Sequence, residues 1–332
     1  MPEPAGSPLD ATRRTALLGA KLAALVADEG AELSTPPASI GVGLAAMAGD
    51  TAWVLVDIVD GRAAERALGP ALAWALRQGA ESVRVLAEQG SAILARRAAL
   101  FDWDIEVREV VGREQRRAVA AHPLTAAMAG DDRWSEWREL IEAAGAVPVV
   151  EHGVLAGEVA GLEVCRVVDG PQGAQLAVGV GAHDREMFQM LHGTRPTPEA
   201  LRDVVSRVAV HRDLSAPQHA LNQLARSRLL RAHLIADPSP IGVGRLVAAD
   251  PPVVRTNVKD ELPCVATAVD EPLVVVCSVG VDLDAVVFAA DAAAMHGAER
   301  CLVAVPERDA IEIQQRLAAR VRVPTRIVAV PN

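Results

Sequence analysis

Two stretches of the chain, residues 51–110 and 272–330, repeat one pattern of apolar and polar positions. Each begins with a continuous apolar run, followed by an alanine-rich segment that ends at a glycine of the tripeptide Gly-Ala-Glu. A second apolar run, an amphipathic segment and a third apolar run complete each stretch. Continuous apolar runs are typical of strands buried on both faces, and Gly79 and Gly297 suit the left-handed residue that closes a helix. The pattern predicts two related β-α-β-α-β units with parallel strands.

A weaker strand-like segment and a tight turn precede each repeat, at residues 41–50 and 263–272. A hairpin that leads into the first strong strand of a repeat places an antiparallel neighbour beside it. We therefore expect each parallel unit to carry one antiparallel strand at this position.

The residues between the two repeats follow a different pattern. The segments 158–168 and 175–180 are strand-like and flank Asp-Gly-Pro-Gln-Gly, a strong turn signal, which predicts a β-hairpin. Residues 236–255 are rich in proline and glycine and predict a surface connector. Apolar spacing predicts helices in this part of the chain at 113–121, 133–144, 183–192, 197–208 and 217–235.

The predicted fold class is α/β, with two related three-layer β-α-β-α-β units flanking a central α+β region. The predicted first segment, residues 1–35, holds a flexible tail over 1–14 and an N-terminal helix. The remaining predicted boundaries are 36–112 for the first α/β unit, 113–252 for the central region with its hairpin and arginine-rich helices, and 253–332 for the second α/β unit.

Composition restricts the class of protein. Apolar residues make up 51% of the chain, charged residues 23%, and the mean hydropathy is +0.20, as in a globular protein. No segment has the length and apolar character of a membrane span or a secretory signal. The four cysteines (165, 264, 277 and 301) lie in or beside apolar runs without a CxxC pair, so we expect buried, reduced thiols in a cytoplasmic protein. The sequence identifies no cofactor and leaves the oligomeric state open.

The segment 175–192 joins an apolar strand to a helix through two glycines and then carries His183, Asp184, Arg185 and Glu186. Free backbone N–H groups at such a helix start can bind an anion, but an acidic first turn is equally what helix capping favours.

His183 and Glu186 share a helix face and, with Glu158 or Glu163, supply groups that ligate metals. On one regular strand Glu158 and Glu163 point to opposite faces unless a bulge at Gly161 intervenes, so we expect one of them at most to take part. The corresponding hypothesis is an enzyme or small-ligand-binding protein whose catalytic residues, in a central cleft, are Glu163, His183, Asp184 and Glu186.

Basic charge is concentrated in residues 201–233, which contain six arginines and two acids. The whole chain, in contrast, has a net charge of −10. One interpretation is a nucleic-acid-binding patch formed by Arg226, Arg228 and Arg231. The other is an amphipathic helix whose arginines pair with the surplus acids of the chain. The chain has no tyrosine and its five tryptophans all precede residue 138, so aromatic stacking on bases has little support in this region.

The stretches 43–59 and 67–88, a hairpin into a strong strand followed by a small-residue helix and another strand, resemble the restriction-endonuclease-like superfamily, also called the PD-(D/E)XK or tRNA-endonuclease-like fold. The resemblance implies acids on two strands and a lysine, which hold a divalent metal and activate water against a phosphodiester. A Rossmann-like three-layer unit matches the same pattern.

The sequence departs from that superfamily at the catalytic positions. The third strand of the first unit reads Asp57-Ile58-Val59, with valine in place of lysine, and the second unit reads Cys277-Ser278-Val279. The central hairpin keeps Glu163, but its second strand reads Ala177-Val178-Gly179. Hence the first hypothesis is a nucleic-acid-associated protein with a degenerate nuclease-like fold. The alternative is the small-ligand-binding protein or metal-dependent hydrolase described above, and a scaffold without chemistry is the third.

Overall fold

A computed structural model describes residues 8–57, 64–126, 134–170, 173–193, 198–212, 219–255 and 261–331. The chain forms two compact units. The first unit comprises Met1–Pro123, Leu283–Asp291 and Ile311–Thr325, and the second comprises Leu124–Asp282, Ala292–Ala310 and Arg326–Asn332.

The α-helices of the described ranges are, in chain order, α1 (Pro8–Asp28), α2 (Leu68–Gln78), α3 (Ser91–Ala98), α4 (Ser135–Ala143), α5 (Ala182–His192), α6 (Pro198–Ala209), α7 (Arg226–Ala236), α8 (Ala285–His296) and α9 (Glu312–Ala318).

The strands of the same ranges are β1 (Ala38–Ser39), β2 (Gly43–Ala48), β3 (Thr51–Val56), β4 (Ser82–Ala87), β5 (Asp104–Val111), β6 (Glu114–Arg117), β7 (Val147–Glu151), β8 (Val154–Val159), β9 (Leu162–Gly170), β10 (Gly173–Val178), β11 (Leu246–Ala249), β12 (Cys264–Ala268), β13 (Leu273–Cys277), β14 (Arg300–Pro306) and β15 (Thr325–Val330).

These strands form three sheets, and the predicted α/β class is confirmed. The first sheet has the order β1-β2-β3-β4-β5-β6, the second β10-β9-β8-β7, and the third β11-β12-β13-β14-β15. As the repeat predicts, β2 and β12 pair antiparallel with β3 and β13, which in turn pair parallel with β4 and β14. The second sheet is an antiparallel meander that holds the predicted hairpin of β9 and β10.

The helix ends predicted from the repeated glycines are also confirmed. Gly79 and Gly297 adopt φ values of 73° and 61°. The following residue closes the last turn in each case, because the N–H of Ala80 donates to Ala75 O at 3.1 Å and the N–H of Ala298 donates to Ala293 O at 2.9 Å. Glycine is favoured at such a position because a Cβ disfavours the left-handed conformation.

Several local predictions are wrong, and each has a physical reason. The predicted helix 113–121 is instead strand β6, paired antiparallel with β5, because a neighbouring edge satisfies its backbone. The predicted tail is helical from Pro8 onward, and the predicted connector contains β11. Residues 158–168 are not one strand: β8 and β9 meet there in a tight hairpin.

In the first unit, α1 packs Leu22 and Leu25 against Leu44, Leu55 and Leu86 of the sheet, and all five side chains are buried. Apolar burial of this kind stabilises by about 25 cal/mol per Å².

The first unit also contains a reciprocal contact between the two repeats. Phe101, three residues past α3, forms an antiparallel bridge with Val321, three residues past α9. On either side, the N–H of Asp102 donates to Arg320 O at 2.7 Å and the N–H of Arg322 donates to Leu100 O at 2.9 Å. Equivalent positions of the two repeats therefore contact one another.

Candidate functional site

The central sheet of the second unit has one apolar and one charged face. The apolar face belongs to a core cluster that includes Leu155, Val164 and Leu176, with Leu201 and Val205 of α6 packed into it. The opposite face carries glutamates and arginines, and helix α7 supplies two of its charged side chains. An antiparallel sheet commonly has one face in the core and one that is polar.

Two tight hairpins determine which side chains reach the charged face. Ala160 and Gly161, with φ values of 43° and 76°, form the two-residue loop between β8 and β9. This loop makes Glu158 and Glu163 direct cross-strand partners. Direct partners point to the same face of a sheet, so the expectation that Glu158 and Glu163 point to opposite faces is wrong.

A register shift in the same hairpin adds an arginine to this face. The strand pairing shifts between Gly157 and Glu158, which makes Val164 an extra residue on β9. Because of this bulge, Arg166 points to the same face of the sheet as Glu163. Arg166 Nε and Nη2 each donate to Glu163 at 2.6 Å, and Arg185 Nη1 donates at 2.5 Å. Burial raises the pKa of Glu163, but the two guanidinium groups outweigh it, so the pKa lies below its ordinary value.

Arg185 reaches the site because α5 starts close to β10. A Cβ on Gly179 would lie 2.7 Å from the backbone N of Arg185, so only glycine permits this approach. The residues of α5 predicted to be catalytic, His183, Asp184 and Glu186, are exposed.

The structure thus joins Glu163 to Arg185 rather than to His183, Asp184 or Glu186, and no hydrogen bond or ion pair links it to those three. Across the described ranges, no group of three or more histidine, cysteine, aspartate or glutamate side chains is placed to hold a metal ion.

Helix α7 directs two of the three predicted nucleic-acid-binding arginines inward. Arg228 donates to both Glu151 and Glu158. Arg231 Nη1 donates to Glu151 at 2.6 Å, and its Nη2 donates to Glu158 at 3.1 Å. The side chain of Arg231 is 1% exposed and that of Arg228 10% exposed, so neither is presented to a nucleic-acid backbone. Their pairing with acids is the arrangement that the second interpretation of the arginine-rich segment predicts.

The third of these arginines, Arg226, is at the first position of α7 and is more accessible, with 36% of its side chain exposed. The Glu261 carboxylate accepts from the N–H groups of Arg226 and Ser227 at 2.9 and 2.7 Å. Glu261 therefore occupies the helix start where an external anion would bind.

Some of these charged side chains line a pocket of about 80 Å³ on the charged face. The lining contains three arginines, Arg166, Arg228 and Arg255, and three glutamates. The complete lining is Val149, Glu151, His152, Val154, Ala156, Glu158, Glu163, Arg166, Arg228, Val254 and Arg255.

Arg255 differs from the other pocket arginines. Within the described ranges it makes no hydrogen bond or ion pair, although it is only partly exposed. Burial lowers its pKa, and the nearby Arg228 lowers it further, while the three glutamates act in the opposite direction. An arginine remains charged even so, so Arg255 carries a positive charge that no described side chain compensates directly.

His152 lines the pocket from the turn between β7 and β8, where it has a φ of 50°. Its N–H donates to the Asp250 side chain at 2.7 Å. Left-handed backbone is uncommon for residues other than glycine, and histidine is among those that adopt it most readily.

Sequence reasoning selected Glu163 but missed Glu151, His152, Arg166, Arg185 and Arg255. The dipeptide His-Gly is not one of the strong signals of a two-residue hairpin, such as Asn-Gly or Asp-Gly, so the position of His152 had no clear local indication. No local pattern indicated Arg255, because its place depends on the path of the connector that follows β11.

The acid that corresponds to the superfamily resemblance, Asp57, accepts from Arg14 Nε at 2.9 Å and from Nη2 at 2.6 Å. Ile58 and Val59 lie outside the described residues. The Cys277 side chain of the second repeat is buried in the third sheet.

Comparisons with known proteins give no relative for this chain: no family model matches it, and no curated protein or solved structure matches it. No helix in the described ranges combines the length and apolar character needed to cross a lipid bilayer.

Proposed function

We propose that this protein binds a small anionic ligand, carrying a carboxylate or phosphate group, in the pocket of the central sheet. The observation that carries the proposal is Arg255, a pocket-lining guanidinium without an ion-pair partner among the described residues. A buried or half-buried cation is costly unless an anion compensates it. A bound anion would supply that compensation.

The charge balance of the cluster around the pocket also favours a negatively charged ligand. The cluster contains three glutamates and five arginines, a formal excess of two positive charges. Its members are Glu151, Glu158, Glu163, Arg166, Arg185, Arg228, Arg231 and Arg255. Because the carboxylates already accept from arginines, they orient the guanidinium groups rather than attract a cation. Arginine is favoured for planar recognition of carboxylates and phosphates.

The size of the pocket restricts the ligand. Its volume of about 80 Å³ exceeds the roughly 10–15 Å³ that one water needs and is below the roughly 300–1,000 Å³ of sites for drug-sized ligands. The pocket therefore has room for a small anionic group.

The expected affinity is modest. A ceiling of about 1.5 kcal/mol per non-hydrogen atom limits a five-atom anion such as phosphate to about 7.5 kcal/mol. That value corresponds to a Kd in the micromolar range or weaker.

Isothermal titration of inorganic phosphate and of acetate into the protein, at constant ionic strength, tests this proposal. We expect binding to the wild type and a loss of affinity of roughly 10-fold to 100-fold in Arg255→Gln, since a hydrogen bond to a charged group contributes about 1.5–3 kcal/mol. Arg207→Gln, an exposed arginine on α6, is the matched control and should bind like the wild type. Equal affinity of the wild type and Arg255→Gln for both anions would contradict the proposal.

Nucleic-acid binding through the arginine-rich helix stays a prediction, and no contact of that helix favours it over the small anion. Arg226 is the member of the trio with an accessible guanidinium. Salt-dependent binding of DNA or RNA that weakens in Arg226→Ala but not in Arg255→Gln would support nucleic-acid binding and not the pocket.

A further inference from the structure

Two of the four cysteines lie directly opposite each other. Cys264 begins β12, Cys277 ends β13, and the two are cross-strand partners in the antiparallel pair. Both are free and buried. The sequence predicted reduced, buried thiols without a disulfide framework. Burial is confirmed, but thirteen residues of separation concealed this contact.

The geometry of the pair is that of a potential disulfide. Directly opposed residues of antiparallel strands have Cα atoms about 4.5–5.5 Å apart, within the range of roughly 4.4–6.8 Å that disulfides span. Directly opposed residues of an antiparallel pair also point to the same face of the sheet, so the Cys264 and Cys277 side chains are on one side of it. Forming the bond therefore requires movement of the sulfurs but no rearrangement of the sheet.

The charges around the pair make the two thiols chemically unequal. Burial raises the pKa of Cys264, but the hydrogen bond from Cys277 and the positive charges of Arg231 and Arg228 outweigh it, so the pKa falls below its ordinary value. The pKa of Cys277 is raised, because its proton is held in the bond to Cys264 and because it is buried. One sulfur is thus the better nucleophile, and the other is the proton donor.

The other two cysteines provide an internal comparison. Burial raises the pKa of both Cys165 and Cys301 to about 12. Neither has a cysteine as its cross-strand partner: Cys165 pairs with Gly157 and Val178, and Cys301 pairs with Val274.

We propose that Cys264 and Cys277 are a redox-active dithiol, which a hydroperoxide oxidises to a disulfide within the folded protein. The Cys264 thiolate attacks a peroxide oxygen and displaces hydroxide, which gives a sulfenic acid. Cys277 then attacks the Cys264 sulfur, the S–O bond breaks, and the hydroxyl leaves as water with the Cys277 proton. With hydrogen peroxide, two thiols lose two electrons, and the peroxide becomes two waters.

The pair is buried, so an oxidant reaches it only through a local opening of the strand ends. Both cysteines are at one end of their strands, and strand ends open at lower free energy than strand centres do. A small hydroperoxide is therefore the class of oxidant that fits, whereas a folded protein partner would need a larger opening.

Peptide mapping of the native protein tests the proposal. The protein is treated with hydrogen peroxide, its remaining thiols are blocked under denaturing conditions, and the digest is analysed by mass spectrometry with and without reductant. We expect a reductant-sensitive link between the peptides of Cys264 and Cys277, while Cys165 and Cys301 remain alkylated. In Cys277→Ser, dimedone should label Cys264. The matched control, Cys301→Ser, should oxidise like the wild type.

Two results would overturn the proposal, and both come from the wild type, so folding of a variant does not decide it. The first is full alkylation of all four cysteines after treatment that oxidises a reference dithiol. The second is a link that forms only when peroxide is added together with denaturant.

Discussion

Among the described residues, two clusters pair buried arginines with acids, and the two clusters differ in charge balance. In the first unit, Arg96 and Arg97 pair with Asp291 at 2.7 and 2.9 Å, and Arg97 also pairs with Asp284 at 3.4 Å. The described part of this cluster contains two arginines and two aspartates. The cluster of the second unit has five arginines and three glutamates beside a pocket. The described charges of the first cluster are equal in number, whereas the second cluster has two more arginines than glutamates, and the proposed anion site rests on that excess.

The two clusters also share a packing device. A Cβ on Gly69 would lie 2.3 Å from Leu283 O, next to Asp284. A Cβ on Gly161 would lie 2.2 Å from Arg228 O. Each cluster therefore depends on a glycine that lets a backbone approach the element carrying its charges.

The largest expected effect comes from removing a buried cation from each cluster. Arg231→Met and Arg97→Met should each lower the free energy of unfolding by about 3–5 kcal/mol, because the carboxylates left behind stay buried without full compensation. Urea denaturation monitored by circular dichroism measures the loss. Arg207→Met, at an exposed position, is the control and should change stability by about 0.5 kcal/mol or less. A loss near the control value would show that the buried pairs contribute little.

The next effect tests the two glycines. Gly161→Ala and Gly69→Ala should each cost about 1–3 kcal/mol through backbone overlap, with additional left-handed strain at Gly161. Gly242→Ala is the matched control, since Gly242 has a φ of 66° with open space around its missing Cβ. Thermal unfolding compares the three variants. Equal losses at Gly161 and Gly242 would mean that the close approach to α7 is not what requires glycine.

A smaller effect should appear in the pH dependence of the second cluster. The pKa of Glu163 in the folded protein lies below its ordinary value of 4.5. The stability it contributes is therefore fully present above pH 4.5 and is lost as the pH falls through the lower, folded-state pKa.

Glu163→Gln should reduce stability at neutral pH by about 1–2 kcal/mol and flatten the decline below pH 4.5. Urea midpoints measured from neutral to acidic pH give the two curves. Curves that run parallel would show that Glu163 is not responsible for the acid dependence.

The smallest expected effect is that of Arg255→Gln on the protein without ligand. Because Arg255 has no ion-pair partner in the described ranges, its removal should change stability by about 0.5 kcal/mol or raise it. The same substitution should abolish most stabilisation by phosphate. A large loss of stability without ligand would show that Arg255, like Arg97, stabilises the fold and is not reserved for a ligand.

Much of the fold could be predicted from the sequence, because its strongest signals are local. The apolar runs and helix-closing glycines of the repeats identified β-α-β units, since strand burial and helix ends have clear residue preferences. The hairpins at His152-Gly153 and Ala160-Gly161 were missed because they lack the Asn-Gly or Asp-Gly signal. Because the hairpin at Ala160-Gly161 was not predicted, Glu158 and Glu163 were expected to point to opposite faces.

The candidate site could be predicted only in part. Arg228 and Arg231 were predicted to lie in a helix, but their burial depends on Glu151 and Glu158, about seventy residues or more away in sequence. Arginine is rarely buried without such partners, so only the tertiary fold decides between a surface patch and an internal network. The same holds for Arg185, which meets Glu163 because Gly179 lets α5 start next to β10.

The bridge between Phe101 and Val321 has a consequence for assembly. A contact in which each residue meets its own counterpart is the geometry of an interface with two-fold symmetry, which separate subunits form only at sufficient concentration. Here both sides belong to one polypeptide, so the effective concentration of one side around the other is fixed by the chain itself. Dilution therefore does not separate these two segments.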